Sequence, residues 1–139
     1  MKIRRVEHIA VAVPEIGAAK AMLENVFGLK MESEEEIGPI RLAMYPVGET
    51  YLELLQSADP DSRTAHWAAE KGTPLYHLCF EVEDIDAALE ELRGKGVKLL
   101  DEVPRGGHGG SRIAFIDPEC TGNVLIELAE LPAAENAHP

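Results

Sequence analysis

The sequence is short of positive charge, of cysteine and of long apolar runs, and each shortage removes a class of function. Lysine and arginine number 13 against 25 aspartates and glutamates, a formal net charge of −12 over 139 residues. A field of that sign repels nucleic acid and anionic membrane surfaces, so no partner of either kind is expected. No apolar run approaches the roughly 20 residues needed to cross a bilayer, and the start, MKIRRVEHIAVAV, carries no small-residue cleavage site. The expectation is a soluble, cytoplasmic protein. The two cysteines sit in unlike contexts, Cys79 in an apolar strand pattern and Cys120 in a turn bounded by proline and glycine. With no C-x-x-C pair and no disulfide framework, both read as reduced thiols.

What is present is a globular balance. Hydrophobic residues make up 45% and charged residues 27%, enough apolar material for one core, and single domains commonly run to about 100 to 200 residues. Within that length the chain repeats itself. EHIAVAVPEIGAAKAMLENVFGLKM aligns with YHLCFEVEDIDAALEELRGKGVKLL, so that His8 matches His77, Val13 matches Val82, Ile16 matches Ile85 and Leu23 matches Leu92. After a single gap Gly28 matches Gly96. Each copy opens with a short apolar strand, meets an acidic turn at Pro14-Glu15 or Glu83-Asp84, and continues with apolar residues at helical spacing. Gly28 and Gly94 fall where a left-handed residue ends a helix.

Strand patterns follow each helix: about 30–36, 41–47 and 51–56 in the first copy, and 97–100, 111–116 and 124–129 in the second. The linker, about 58–73, holds a short helix over Arg63 to Lys71 that closes at Gly72. The expected fold is α+β: two βαβββ modules, about 3–57 and 74–131, forming a cupped mixed sheet around a shared interior with helices outside. Residues 1–131 make a single domain and 132–139 a flexible tail.

In a strand, side chains alternate between faces, so a polar residue that interrupts an apolar strand carries information. Four do so here. His8 stands in VEHIAVAV, Glu53 in YLELL, His77 in LYHLCF and Glu127 in VLIELA. Taken singly, a strand glutamate usually faces solvent and a strand histidine is usually an ordinary core or edge residue. Jointly they ask for more, because each module carries one histidine on its opening strand and one glutamate on its closing strand. A carboxylate among leucines costs several kcal/mol if it stays ionised without solvent or a cation. Two imidazoles and two carboxylates around one divalent ion meet that need, and such a set suits Co, Mn, Ni, Fe or Zn. Of the other histidines, His66 lies on the linker helix beside Trp67 and His138 in the tail. His108 sits in PRGGHGGSR, a glycine-rich loop that either lets backbone approach a ligand closely or is a mobile turn.

At these residues the chain resembles the vicinal oxygen chelate superfamily, and within it the methylmalonyl-CoA epimerases. The likeness covers essentially residues 3 to 131 and is carried by HIAVAVPEI, YLELLQ, DSRTAHWAAEKG, LYHLCFEVEDIDAALEEL and HGGSRIAFIDPECTGNVLIEL. It implies a divalent metal (Co, Mn, Ni or Zn) on His8, Glu53, His77 and Glu127, an acyl-CoA substrate, Glu127 as the general base, and a homodimer. Epimerising a carbon between a thioester and a carboxylate requires removing a weakly acidic proton and stabilising the charge left behind. The loop from Arg105 to Arg112 is expected to close over the substrate, with Arg105 or Arg112 near an anionic group and His108 also a substrate-binding candidate. Two departures stand out. Some relatives carry a second glutamate on the third strand, and the equivalent position here is Leu42. Asp117-Pro118-Glu119 carries an acid where many relatives have a basic residue.

Competing functions are a glyoxalase-type isomerase of a glutathione thiohemiacetal, a ring-cleaving iron dioxygenase, and a metal-free module that sequesters a small molecule. A fourth protein ligand disfavours the dioxygenase by occupying a position that oxygen needs. Four ligand-type residues disfavour the metal-free module. The glyoxalase reading shares the donor set.

Overall fold

Each half of the chain runs a strand of alternating apolar residues into an acidic turn, and the acid starts a helix. The computed structural model describes residues 1–71, 75–122 and 124–133; Gly72, and the part of the expected tail from 134 onward with His138, lie outside the described residues. Strand β1 (Ile3–Ala12) leads into α1 (Ile16–Asn25), and β5 (Leu75–Val82) into α3 (Ile85–Gly94); α2 (Arg63–Lys71) lies between. The Glu15 carboxylate accepts from the amides of Gly17 at 2.9 Å and Ala18 at 2.7 Å, and Asp84 accepts from Ala87 at 3.0 Å. These satisfy first-turn N–H groups that have no partner inside the helix. A residue from the end of a strand adds a second cap in both halves. Gln56 accepts from Ile16 N at 2.7 Å, and Glu130 from Ile85 N at 2.9 Å. Gln56 follows Glu53 at the spacing with which Glu130 follows Glu127, so the duplication reaches the caps.

Gly28 ends the first helix region in the left-handed conformation, φ 69°. In the second half that place belongs to Gly96, φ 77°, and not to Gly94, which is the last residue of α3. Val97 N bonds back to Leu92 O and Gly96 N to Arg93 O, both at 3.0 Å, so the helix closes two residues later than the glycine pattern suggests. The shift restores the match of Gly96 with Gly28.

The remaining strands are β2 (Ser33–Ile37), β3 (Ile40–Val47) and β4 (Thr50–Ser57), then β6 (Arg105–Gly106), β7 (Arg112–Ile116) and β8 (Ile126–Glu130). Their lateral orders are β2-β3-β4-β1 and β5-β8-β7-β6. β1 runs parallel to β4, and β5 to β8; the other pairs within each set are antiparallel. The α+β class and the twice-repeated βαβββ order are as expected. One strand is not where the pattern puts it. Residues 97–100 make a single bridge, Leu99 to Ile116, instead of a ladder. There Asp101 Oδ2 accepts from Phe115 N at 2.8 Å, a side chain taking the place of a strand carbonyl. The partner of β7 is instead Arg105–Gly106, inside the segment read as a glycine loop.

The chain forms two compact units that divide within the opening strands. One is His8–His77, the α1 unit. The other is Met1–Glu7 with the chain from Leu78 onward, the α3 unit. In the α1 unit Ile16, Ala43, Tyr45 and Leu54 form the core, with Val11 and Leu52 against them. In the α3 unit Ile85, Ala88, Leu89 and Leu92 pack on Val82, Ala114, Ile116 and Leu128, with Ile126 alongside. Burying each large aliphatic contributes roughly 1.5–3 kcal/mol. Alternation then sets the opposite face. Leu52 and Leu54 go to α1, so Glu53 points away from it; Ile126 and Leu128 go to α3, so Glu127 points away from that helix.

Candidate active site

On the face of the α1 unit turned from α1, register aligns Ala10 with Glu53 and Glu53 with Met44. His8 lies two residues before Ala10 on β1 and shares that face. His77 reaches it from the start of β5. The His8 and His77 Nε2 atoms are 3.0 Å apart, with the rings edge to face. Glu53 Oε1 lies 3.3 Å from His8 Nε2 and 3.9 Å from His77 Nε2. All three side chains are buried, between 1% and 5% exposed. Two atoms bound to one ion at about 2.1 Å can be no more than about 4.2 Å apart. Each of the three separations meets that limit, and the imidazole, imidazole, carboxylate chemistry suits a divalent ion of the first transition row. The residues therefore fit the metal that the donor pattern calls for.

Register adds Tyr51 beside His8 and Glu35 beside Leu42 to the same face, with apolar residues between them. Leu42, in register with Leu55, is 3% exposed, and Ala10, Met44 and Leu55 are also buried. Leu42 brings no titratable atom to it.

Glu127 belongs to the α3 unit. It is 4% exposed and aligns with Cys79 on β5 and with Phe115 on β7. Its place on β8 is that of Glu53 on β4. Next along this face come Ile113 and, in register with it, Arg105, whose guanidinium lies 5.6 Å above the Phe115 ring and 3.3 Å from Asp101. Arg112 goes the other way, against the expectation that it meets an anionic ligand. It lies on the α3 side, where it grips Asp86 with two bonds of 2.8 and 3.1 Å and approaches Glu130 at 3.8 Å. That guanidinium holds the Asp86 carboxyl below its ordinary range. Adjacent strand residues face opposite ways, so Arg112 and Ile113 cannot serve the same face.

His108 donates from Nε2 to Glu7 Oε1 at 2.9 Å. Glu7 is 2% exposed, and Arg5 lies 3.8 Å from its other oxygen while donating to buried Glu81 at 2.7 Å. Sequence reasoning passed over Glu7 and Glu81, although the rule that picked out His8 and His77 applies to both: each interrupts an apolar strand, in VEHI and CFEV. His66 is exposed on α2.

A duplicated βαβββ order with two histidines and a carboxylate converging on the sheet face turned from α1 is the mark of a fold class. The chain matches the model of the Glyoxalase/Bleomycin resistance protein/Dioxygenase superfamily over residues 7–115, and it belongs to that superfamily. It is 30% identical to the ethylmalonyl-CoA/methylmalonyl-CoA epimerase of Cereibacter sphaeroides, across 93% of this chain and 99% of that one. A solved structure of methylmalonyl-CoA epimerase in complex with methylmalonyl-CoA and NH4+ matches with a TM-score of 0.89 at 31% identity, covering 95% of this chain and 97% of that one. An uncharacterised protein of Bacillus subtilis is 35% identical over 92% and 93% of the two chains. The protein is an isomerase of the epimerase type. Among the described residues no helix is long and apolar enough to cross a membrane.

Proposed function

We propose that this isomerase inverts the α-carbon of methylmalonyl-CoA, or of a closely related 2-substituted acyl-CoA, with one divalent ion (Co, Mn, Ni or Zn) held by His8, Glu53, His77 and Glu127. The observation that carries the reading is the convergence of His8, His77 and Glu53 within one unit, with Glu127 at the duplicated position in the other. A bound divalent ion supplies Lewis-acid stabilisation of the negative charge that builds on the thioester oxygen. The side chains do the rest. His8 and His77 bring two buried imidazole nitrogens, and Glu53 brings a carboxylate beside them. Glu127 accepts the α-proton. Between Phe115 and Cys79 its carboxylate is poorly hydrated, so accepting a proton relieves the cost of burying a charge. Arg105, on the face of Glu127, meets an anionic part of the substrate. A homodimer in the cytoplasm is carried by family resemblance alone.

Deuterium exchange tests the reading. In deuterated water the metal-restored protein should wash deuterium into the α-position of methylmalonyl-CoA, and the metal-stripped protein should not. Glu127→Gln should keep much of its metal and lose exchange by about 10²-fold or more, the scale for removing a general base. Full exchange activity in Glu127→Gln with metal bound means the base lies elsewhere. A glutathione thiohemiacetal run in parallel covers the glyoxalase reaction, and turnover of that substrate alone overturns the reading.

A further inference from the structure

Inverting a carbon centre needs a proton taken on one face and one returned on the other, and Glu127 serves a single face. The α1 unit offers no obvious second group at β3, since Leu42 occupies the donor face there with an aliphatic side chain. We propose that His108, held by buried Glu7, is the second acid/base of the reaction. The inference rests on the epimerase reading.

Three observations converge on the loop between β6 and β7. First, a carboxylate 2% exposed accepts a hydrogen bond from an imidazole whose side chain is 13% exposed. A buried carboxylate bonded to one ring nitrogen fixes the ring's orientation and with it the direction of the other nitrogen, which is how a histidine is positioned for proton transfer. Second, the ring and its loop lie on the side of the sheet where Glu127 stands: Glu7, which His108 meets, has an oxygen within 4.8 Å of Cys79 Sγ, and Cys79 aligns with Glu127. Arg105 and Ile113, which root it, share that face, and the loop closes through Gly107 N to Ser111 O and Ser111 N to His108 O, both 3.0 Å. A Cβ at Gly107 would fall 2.6 Å from Ile113 Cγ2 and 2.8 Å from Ser111 Oγ, so only glycine lets the turn lie this close to the sheet. Gly109 and Gly110 both take positive φ, 60° and 77°. Third, Ser111 Oγ is buried and has no hydrogen-bond partner among the described residues. A buried hydroxyl left so costs about 1–3 kcal/mol, and a ligand oxygen arriving there would complete it.

The step balances without a co-reactant. Glu127 takes the α-proton of one stereoisomer, and the electron pair of the C–H bond passes into the thioester. Protonated His108 returns a proton to the same carbon from the other face and becomes neutral. The ring meets Glu7 through Nε2, and Glu7 gains and loses no proton over the cycle. Water then reprotonates His108 and deprotonates Glu127. From the other stereoisomer the roles reverse. Glu7 touches no reacting atom and is a positioning residue.

The test is the ratio of deuterium incorporated to centres inverted, measured in deuterated water from each stereoisomer of methylmalonyl-CoA. A ratio within one sample does not depend on how much of a variant is folded or metal-loaded. In His108→Gln, inversion should fall by about 10²-fold or more while the stereoisomer served by Glu127 continues to exchange. The opposite stereoisomer should lose exchange. Glu7→Gln should move the ratio in the same direction, and Glu7→Asp should restore part of it. A wild-type ratio in His108→Gln refutes the inference alone. Absence of exchange in the wild-type enzyme with methylmalonyl-CoA refutes the epimerase reading and the inference with it.

Discussion

Removing His77 is the sharpest test of the metal centre, because its buried imidazole stands 3.0 Å from His8 and 3.9 Å from Glu53. Displacing even an outer partner of a metal ligand costs about 10- to 100-fold in affinity, so loss of a ligand should cost at least about 100-fold. Binding to the folded state alone stabilises by RT ln(1 + [L]/Kd). With Co²⁺ at 100 times the wild-type Kd, the wild-type protein gains about 2.7 kcal/mol. A variant whose Kd is 100-fold weaker gains about 0.4 kcal/mol at the same concentration. For a domain of this size 1 kcal/mol moves Tm by about 4 °C. Wild-type Tm should therefore rise by about 11 °C, and that of His77→Ala by about 2 °C. The assay is thermal unfolding after chelation with and without Co²⁺, paired with calorimetric titration for stoichiometry. His66→Ala, at an exposed position of α2, is the control and should behave as wild type. Equal Co²⁺ stoichiometry and equal Tm shifts in wild type and His77→Ala would refute the assignment.

Leu42→Glu places a carboxylate on the donor face of the α1 unit; Co²⁺ stoichiometry should stay the same while the balance of deuterium wash-in and inversion changes, and an unchanged balance removes Leu42 from the chemistry. Arg105→Ala should raise KM for the acyl-CoA, whereas Arg112→Ala should leave KM alone; equal effects in steady-state kinetics contradict the opposite facing of the two residues. Arg112→Ala should also return Asp86 to an ordinary carboxyl pKa. Because Arg112 depresses that pKa in the folded state, the pair stabilises above the ordinary carboxyl range and loses its contribution as pH falls, so acid unfolding curves of wild type and variant should converge at low pH. Tyr45 is fully buried and donates to Glu24 at 2.7 Å; burial and then that carboxylate push its phenol above its usual value of 10.0. A raised folded-state pKa stabilises below the unfolded pKa, so the wild type should lose stability as pH climbs past about 10. Tyr45→Phe, which should cost about 1 kcal/mol at neutral pH, should show no such loss in denaturant titrations.

The duplication was legible in the chain itself because both halves obey one physical pattern: alternating apolar strands, an acidic cap, and apolar residues at helical spacing. His8, Glu53, His77 and Glu127 could be picked out on the same ground, since a polar residue inside an apolar strand needs a partner whatever the tertiary structure. Periodicity also separated Glu53 from Leu52 and Leu54 before any contact was known. What it could not supply was register. Whether Arg105 or Arg112 shares the face of Glu127 depends on how β6, β7 and β8 pair, and a shift of one residue exchanges the two faces. The strand expected at 97–100 gave way to a single bridge because the Asp101 side chain competes for Phe115 N, a contact that local propensity does not see. Gly94 and Gly96 are equally good helix stops in sequence, and the return bond from Val97 to Leu92 chose between them. Glu7 and His108 stand 101 residues apart, so their pairing existed nowhere in the linear pattern; folding of the α3 unit brought a strand acid and a loop histidine together as one part-buried hydrogen-bonded pair.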